Sequence, residues 1–144
     1  MKKIGVLNGP NLDRLGLREP NIYGSTTLKQ IEDTLTNEAH KIGCEINCFQ
    51  SNHEGFLIDK IHEWTDKKYN GLIINPGGFT HTSVAIRDAI SSSCIKTVEV
   101  HLTNIHAREE FRKNSLISGI VEAIIAGMGH NGYLHALRFL ANNT

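Results

Sequence analysis

Short apolar runs alternate along the chain with longer stretches of helical period. Ile4-Gly5-Val6-Leu7 is apolar throughout and is closed at once by Asn8-Gly9-Pro10. A run that short, ended by turn residues, predicts a buried first strand rather than a helix. After it no period of either kind holds until Thr27. There Thr27 and Gln30 have the spacing of a capping box, Leu28, Ile31, Leu35 and Ile42 fall on one helical face, and Gly43 supplies a stop, which predicts a helix packed on a sheet. Residues 45–50 predict a second strand, and Leu57, Ile58, Ile61 and Trp64 give the next helix its apolar stripe. Residues 71–75 form a third strand that empties into Pro76-Gly77-Gly78. A third helix over 83–92 with Thr82 as its cap, a fourth strand over 97–102 and a short charged helix around 108–113 follow. A fifth strand over 120–126, an exit loop over 127–132 and a last helix over 133–141 complete the order.

Strands alternating with helices of this length require crossover connections, and hence a parallel sheet covered on both faces. The expected fold is an α/β three-layer sandwich with a flavodoxin-like five-stranded parallel sheet in the order 2-1-3-4-5, preferred on strand number over a six-stranded Rossmann domain. The 144 residues fit one domain, 1–144. The first strand-to-helix turn lacks the glycine patterns of nucleotide-binding loops. A formal net charge of +0 gives no broad basic surface for nucleic acid. No apolar run nears the roughly 18 residues of a membrane span and no signal peptide is evident, so a cytoplasmic protein is expected. Cys44, Cys48 and Cys94 are an odd count without zinc-site spacing and read as buried free thiols.

In such sheets ligands bind beyond the carboxyl ends of the strands. Three segments far apart in sequence converge there: the loop over 8–25, the turn from Asn75 to His81, and His101-Leu102-Thr103. The long loop carries Asn11, Arg14, Arg18, Glu19 and Tyr23 among its glycines and prolines, and loops of that length in compact domains are usually functional or disordered. Arg18 could lower the pKa of Tyr23 toward that of a usable base. In the fourth strand the period of two sets Glu99, His101 and Thr103 on one face and Val98, Val100 and Leu102 on the other. A carboxylate two residues from a histidine on one face can fix the ring's tautomer and hold its proton for donation. Asn75 with Gly77 and Gly78 reads equally as a turn or a site, and Arg108, Glu109, Glu110 and Arg112 have the pattern of a solvated helix face. Eight histidines raise a metal-dependent hydrolase as a rival, though none pair at metal-binding spacing on one helix. A binding module without chemistry of its own is the other rival.

Five blocks then carry a resemblance: NGPNLDRLGLREPNIYG, QSNHEGFLIDKIHEW, INPGGFTHTSVAIRDAI, VEVHLTNIHAREEFR and IAGMGHNGY. Together, over nearly the whole chain, they resemble the type II 3-dehydroquinases, the type II 3-dehydroquinate dehydratases of the shikimate pathway, which leads to chorismate and the aromatic amino acids. The resemblance implies a lyase that removes water from 3-dehydroquinate in the anti sense, through an enolate, to give 3-dehydroshikimate. It implies Tyr23 as general base with Arg18 beside it, His101 as general acid held by Glu99, and Asn11 at the enolate. It implies substrate binding by Asn75, His81, Leu102, Thr103 and Arg112, with Arg108 lining the site and Asp88 serving a neighbouring subunit. No cofactor or metal is implied, and the assembly is a homododecamer, a tetramer of trimers. Arg112 thereby leaves the solvated face to which its pattern assigned it. The sequence departs from the family at Asp13 and Arg14, where Asn-Leu is common, at Gly78 and Phe79, where Ala-Tyr is frequent, and at Thr103, where serine is usual.

Overall fold

A computed structural model of the chain describes residues 1–17 and 19–144, with the side chains of Pro20 and Tyr23 also outside the described set. The sheet consists of β1 (Lys2–Asn8), β2 (Cys44–Gln50), β3 (Gly71–Asn75), β4 (Lys96–His101) and β5 (Ala123–Ala126), paired in parallel in the order β2-β1-β3-β4-β5. Five helices accompany it: α1 (Pro20–Tyr23), α2 (Leu28–Lys41), α3 (Glu54–Asp66), α4 (Val84–Ser93) and α5 (Asn131–Asn143). This is the expected flavodoxin-like architecture.

Strand pleating divides the core in two. Ile4, Val6, Ile73, Val98 and Val100 face α2 and α5, where Ile31, Leu35, Tyr133 and Leu137 meet them. Leu7, Leu72 and Ile74 face α3 and α4, packing on Leu57, Ile61, Trp64, Ile86 and Ile90. The strands are apolar on both sides because both sides are covered. At the amino end of the sheet, the Lys2 and Lys96 ammonium groups donate to the carbonyls of Ala141 (2.6 Å) and Asn143 (2.7 Å). They satisfy acceptors that the last turn of α5 leaves open.

The boundaries depart from expectation where local chemistry prevails over period. The capping box at Thr27 and Gln30 forms, but α2 ends at Lys41 and the chain turns at Gly43 (φ 75°), so Ile42 is exposed and Ala39 closes the buried stripe. Ser83, not Thr82, caps α4: its hydroxyl accepts from the Ile86 N–H at 2.9 Å and donates to Glu54 at 2.5 Å. Thr82 instead ends the 3-10 turn Gly77–His81. The charged helix after β4 is a 3-10 turn over Glu110–Lys113, and β5 starts three residues late because Ser118–Ile120 forms another such turn. The loop after β1 holds two single turns, Leu12–Arg14 and α1. Of the thiols only Cys44 is buried; Cys48 is half-buried and Cys94, in the left-handed region at the end of α4, is exposed. Burial and the neighbouring Glu32 push the Cys48 thiol up to about 12, which makes it inert at neutral pH. Among the described residues no helix is long and apolar enough to cross a membrane.

One close approach fixes the carboxyl edge of the sheet. The Gly9 N–H donates to the Asn75 carbonyl at 2.8 Å, and a Cβ built on Gly9 would lie 2.2 Å from the Pro76 carbonyl oxygen. Backbone cannot give way as a side-chain tip can. Gly9→Ala should therefore lower stability by about 1–3 kcal/mol in urea unfolding. Gly55→Ala, in the open first turn of α3 where an added Cβ meets nothing within 4 Å, should not.

Candidate active site

The ends of β1, β3 and β4 surround a cavity of about 140 Å³. Asn11 reaches it from the first loop, Asn75 and His81 from the end of β3, and His101, Leu102 and Thr103 from the end of β4. Arg108 and Arg112 close it from the segment that follows. Eight of the expected site residues thus meet in one place. Glu99 lies directly behind His101, with no exposed surface. Asp88 is exposed on α4 and does not line the cavity. Arg18 lies outside the described residues, and so does the side chain of Tyr23.

The first wall is held by polar residues at the end of β2 and just after it. Asn52 accepts from the Asn11 N–H (2.9 Å) and from Gln50 (3.2 Å), while Gln50 also donates to the Gly9 carbonyl (3.1 Å). Asn11 itself is in the left-handed region at φ 69°, a conformation asparagine tolerates better than most residues. On the second wall, Nδ1 of His81 lies 2.9 Å from the Asn114 carbonyl. A carbonyl only accepts, so Nδ1 carries a proton and Nε2 is the ring's remaining polar atom.

The third wall contains the most unusual group, a carboxylate in the middle of a sheet. Glu99 lies between Ile74 of β3 and Ile124 of β5 in the strand register. Its Oε2 takes Nε2–H of His101 at 2.5 Å and the Ser115 hydroxyl at 2.9 Å; its Oε1 takes the Ser118 hydroxyl at 2.6 Å. Burial opposes ionisation of Glu99, but the bonds from His101, Ser118 and Ser115 together outweigh it and hold the carboxyl below the usual range. Because Nε2 of His101 is committed to Glu99, Nδ1 is the nitrogen left to exchange a proton with a ligand. Ser115 and Ser118 were not foreseen from sequence. The signal available was the demand of a buried carboxylate for more donors than one histidine supplies.

The mouth is positive. No Asp or Glu is among the described residues lining the cavity, whereas His81, Arg108 and Arg112 are. Glu109, just outside, holds both arginines: Arg112 Nε at 3.0 Å and Arg108 Nε at 3.6 Å. Paired guanidinium groups beside a histidine suit a carboxylate-bearing ligand. Among the described residues no three His, Cys, Asp or Glu side chains group as a metal site would.

The family model described as Dehydroquinase class II matches residues 2–141. The chain belongs to that family. A 3-dehydroquinate dehydratase of Bacillus mycoides is 53% identical over 137 residues, 95% of this chain and 93% of that protein. The crystal structure of a type II dehydroquinase from Butyrivibrio crossotus superposes with a TM-score of 0.95 at 45% identity, over 96% of this chain and 97% of that one. A second, from Propionibacterium acnes, gives 0.96 at 41% identity over 99% and 98%. The five-stranded parallel sheet in the order β2-β1-β3-β4-β5 thus matches the type II dehydroquinase structures.

The lowered pKa of Glu99 links the site to stability. A carboxyl whose folded pKa lies below its unfolded value contributes stability above the unfolded value, here near 4.5, and loses it as pH falls through the folded one. Unfolding free energy should therefore fall on acidification from about pH 5 toward about pH 3. Glu99→Gln, whose amide N–H₂ confronts groups that are themselves donors, should be less stable at pH 7 by roughly 1–3 kcal/mol and should fall less over that window. Denaturant titrations at several pH values check both.

Proposed function

We propose that the chain is a type II 3-dehydroquinate dehydratase acting in the shikimate pathway, with Tyr23 as base and His101 as acid. The observation that carries this is the buried His101–Glu99 pair opening onto a cavity rimmed by Arg108 and Arg112. Such a pair can hold a proton next to a site for an anionic ligand. The name of the Bacillus mycoides relative supplies the substrate.

The substrate is a β-hydroxy ketone bearing a carboxylate. The Tyr23 phenolate, steadied by Arg18, removes a proton from C2, and the C–H electron pair moves into the ring to make an enolate, which the Asn11 amide stabilises. The enolate then collapses to an enone as the C1–O bond breaks. His101 gives its Nδ1 proton to the departing oxygen, so water leaves, and the Glu99 carboxylate stabilises the imidazolium that precedes the transfer. Asn75, His81, Arg112, the Leu102–Thr103 backbone and the Thr103 hydroxyl hold the carboxylate and ring hydroxyls, with Arg108 alongside. Threonine at 103 keeps the hydroxyl that serine supplies elsewhere in the family. No cofactor takes part in these steps. The reading extends to a single catalytic domain, 1–144, in the cytoplasm. It assembles as a dodecamer, a tetramer of trimers, in which the exposed Asp88 serves a neighbouring site.

Enone absorbance after addition of 3-dehydroquinate tests the assignment. Wild type should turn over with or without EDTA, and Tyr23→Phe and His101→Ala should each lose at least roughly 10²-fold in kcat while remaining folded. No turnover by folded, assembled wild type would overturn it.

A further inference from the structure

Beneath the cavity, on the opposite face of the sheet from Glu99, a second polar chain crosses the apolar core. Asn8 and Asn75 end neighbouring strands and are paired in register, so their side chains share a face. Between them stands Tyr133 of α5. Asn8 and Tyr133 have no exposed surface and Asn75 only 4%. We infer that Tyr133, with Asn8 behind it, is a positioning residue that fixes how the Asn75 amide meets the substrate; this rests on the dehydratase reading.

The argument is one of hydrogen-bond polarity. A phenol has one proton. That of Tyr133 goes to Asn8 Oδ1 at 2.5 Å, so only lone pairs remain for Asn75, which must present Nδ2 and does so at 3.1 Å. From the other side the Gly77 N–H donates to Asn75 Oδ1 at 3.2 Å. Turning the Asn75 amide over would set its oxygen against the phenol's lone pairs and its amino group against the Gly77 N–H. Both bonds would be lost, and both replacements would be like against like. Packing alone asks only for the ring at position 133, since the hydroxyl is a polar atom in an otherwise apolar cluster. Burial also pushes the phenol above the usual tyrosine range, so its proton is always there to give. Asn75 therefore offers the cavity one amide hydrogen and one lone pair in fixed places, which suits it to a ring hydroxyl and not to the reacting carbon.

Steady-state kinetics of the assembled enzyme test this with Tyr133→Phe, Asn75→Ala and the double variant. Tyr133→Phe should raise KM by about tenfold with kcat within about threefold, the signature of binding lost equally in ground and transition states. Over Asn75→Ala it should have no further effect, because the residue it acts through is gone. A Tyr133→Phe enzyme with wild-type KM, or a loss that multiplies with that of Asn75→Ala, would overturn the inference. Should circular dichroism show Tyr133→Phe unfolded, Asn8→Leu carries the test: it removes the acceptor, and the same rise in KM, silent over Asn75→Ala, is expected. An inactive wild type removes the proposed activity and this inference with it. An active wild type beside an unaltered variant removes this inference alone.

Discussion

A single negative charge inside the sheet governs the carboxyl half of this molecule. An ionised carboxylate without partners in a protein interior is among the costliest groups a fold can hold. Glu99 avoids that cost only because three donors converge on it. One is its neighbour along the strand; the other two come from the stretch between β4 and β5, which has no regular structure beyond 3-10 turns. That stretch also carries Thr103, Arg108 and Arg112 to the cavity. The segment that satisfies the charge is therefore the one that brings two arginines to the cavity. The hydroxyls that hold Glu99 also shorten β5, since Ser118 begins the turn that displaces the strand's expected start.

The opposite wall rests on backbone proximity. β1 and β3 are neighbours in the sheet although more than sixty residues separate them in sequence, and the glycine after β1 sits against the Pro76 carbonyl. Any side chain at Gly9 would part the loops that present Asn11 and Asn75. The end of β2 and the residues after it then prop this wall with Gln50 and Asn52, so three consecutive strands of the sheet order contribute to one loop conformation. Parallel topology is what makes this possible, because it sends every strand's exit to the same edge.

What the sequence made legible follows from the range of the forces involved. Burial on both faces of a parallel sheet leaves uniform apolar runs, so the strands and their order could be read directly, and a capping box is a local hydrogen-bond motif, so α2 began where Thr27 and Gln30 placed it. Glu99 and His101 could be paired by the strand period alone. Arg112 could not be moved from a solvated face to the cavity by any period, because a 3-10 turn carries it there; only family resemblance did so. Ser115, Ser118, Asn8 and Tyr133 stayed hidden for a related reason. Each acts on a partner 16 to 125 residues away, and nothing in the local pattern separates a serine in a polar loop from one that holds a buried charge. Ile42 and Cys94 failed in the other direction, as apolar residues that the chain's turns at helix ends leave in solvent.

Two buried ionisable side chains, Glu99 and Tyr133, settle into opposite states under the same pressure. Burial opposes charge on both. Glu99 is surrounded by donors alone, and stays an anion; Tyr133 faces an acceptor, the Asn8 oxygen, and stays neutral. Donors outweigh burial at Glu99, whereas burial itself is the main cause that keeps Tyr133 protonated. Each group, moreover, works on the cavity through one intermediary that is itself at the end of a strand: His101 for the anion, Asn75 for the phenol. Strand ends are the least mobile positions from which a side chain can reach a ligand at this edge, and anchoring them from inside the core extends that rigidity to the atoms that meet the substrate. On the proposed mechanism, proton donation and substrate orientation are fixed from opposite faces of one sheet. A disturbance of either core layer is therefore felt in the site through a different function.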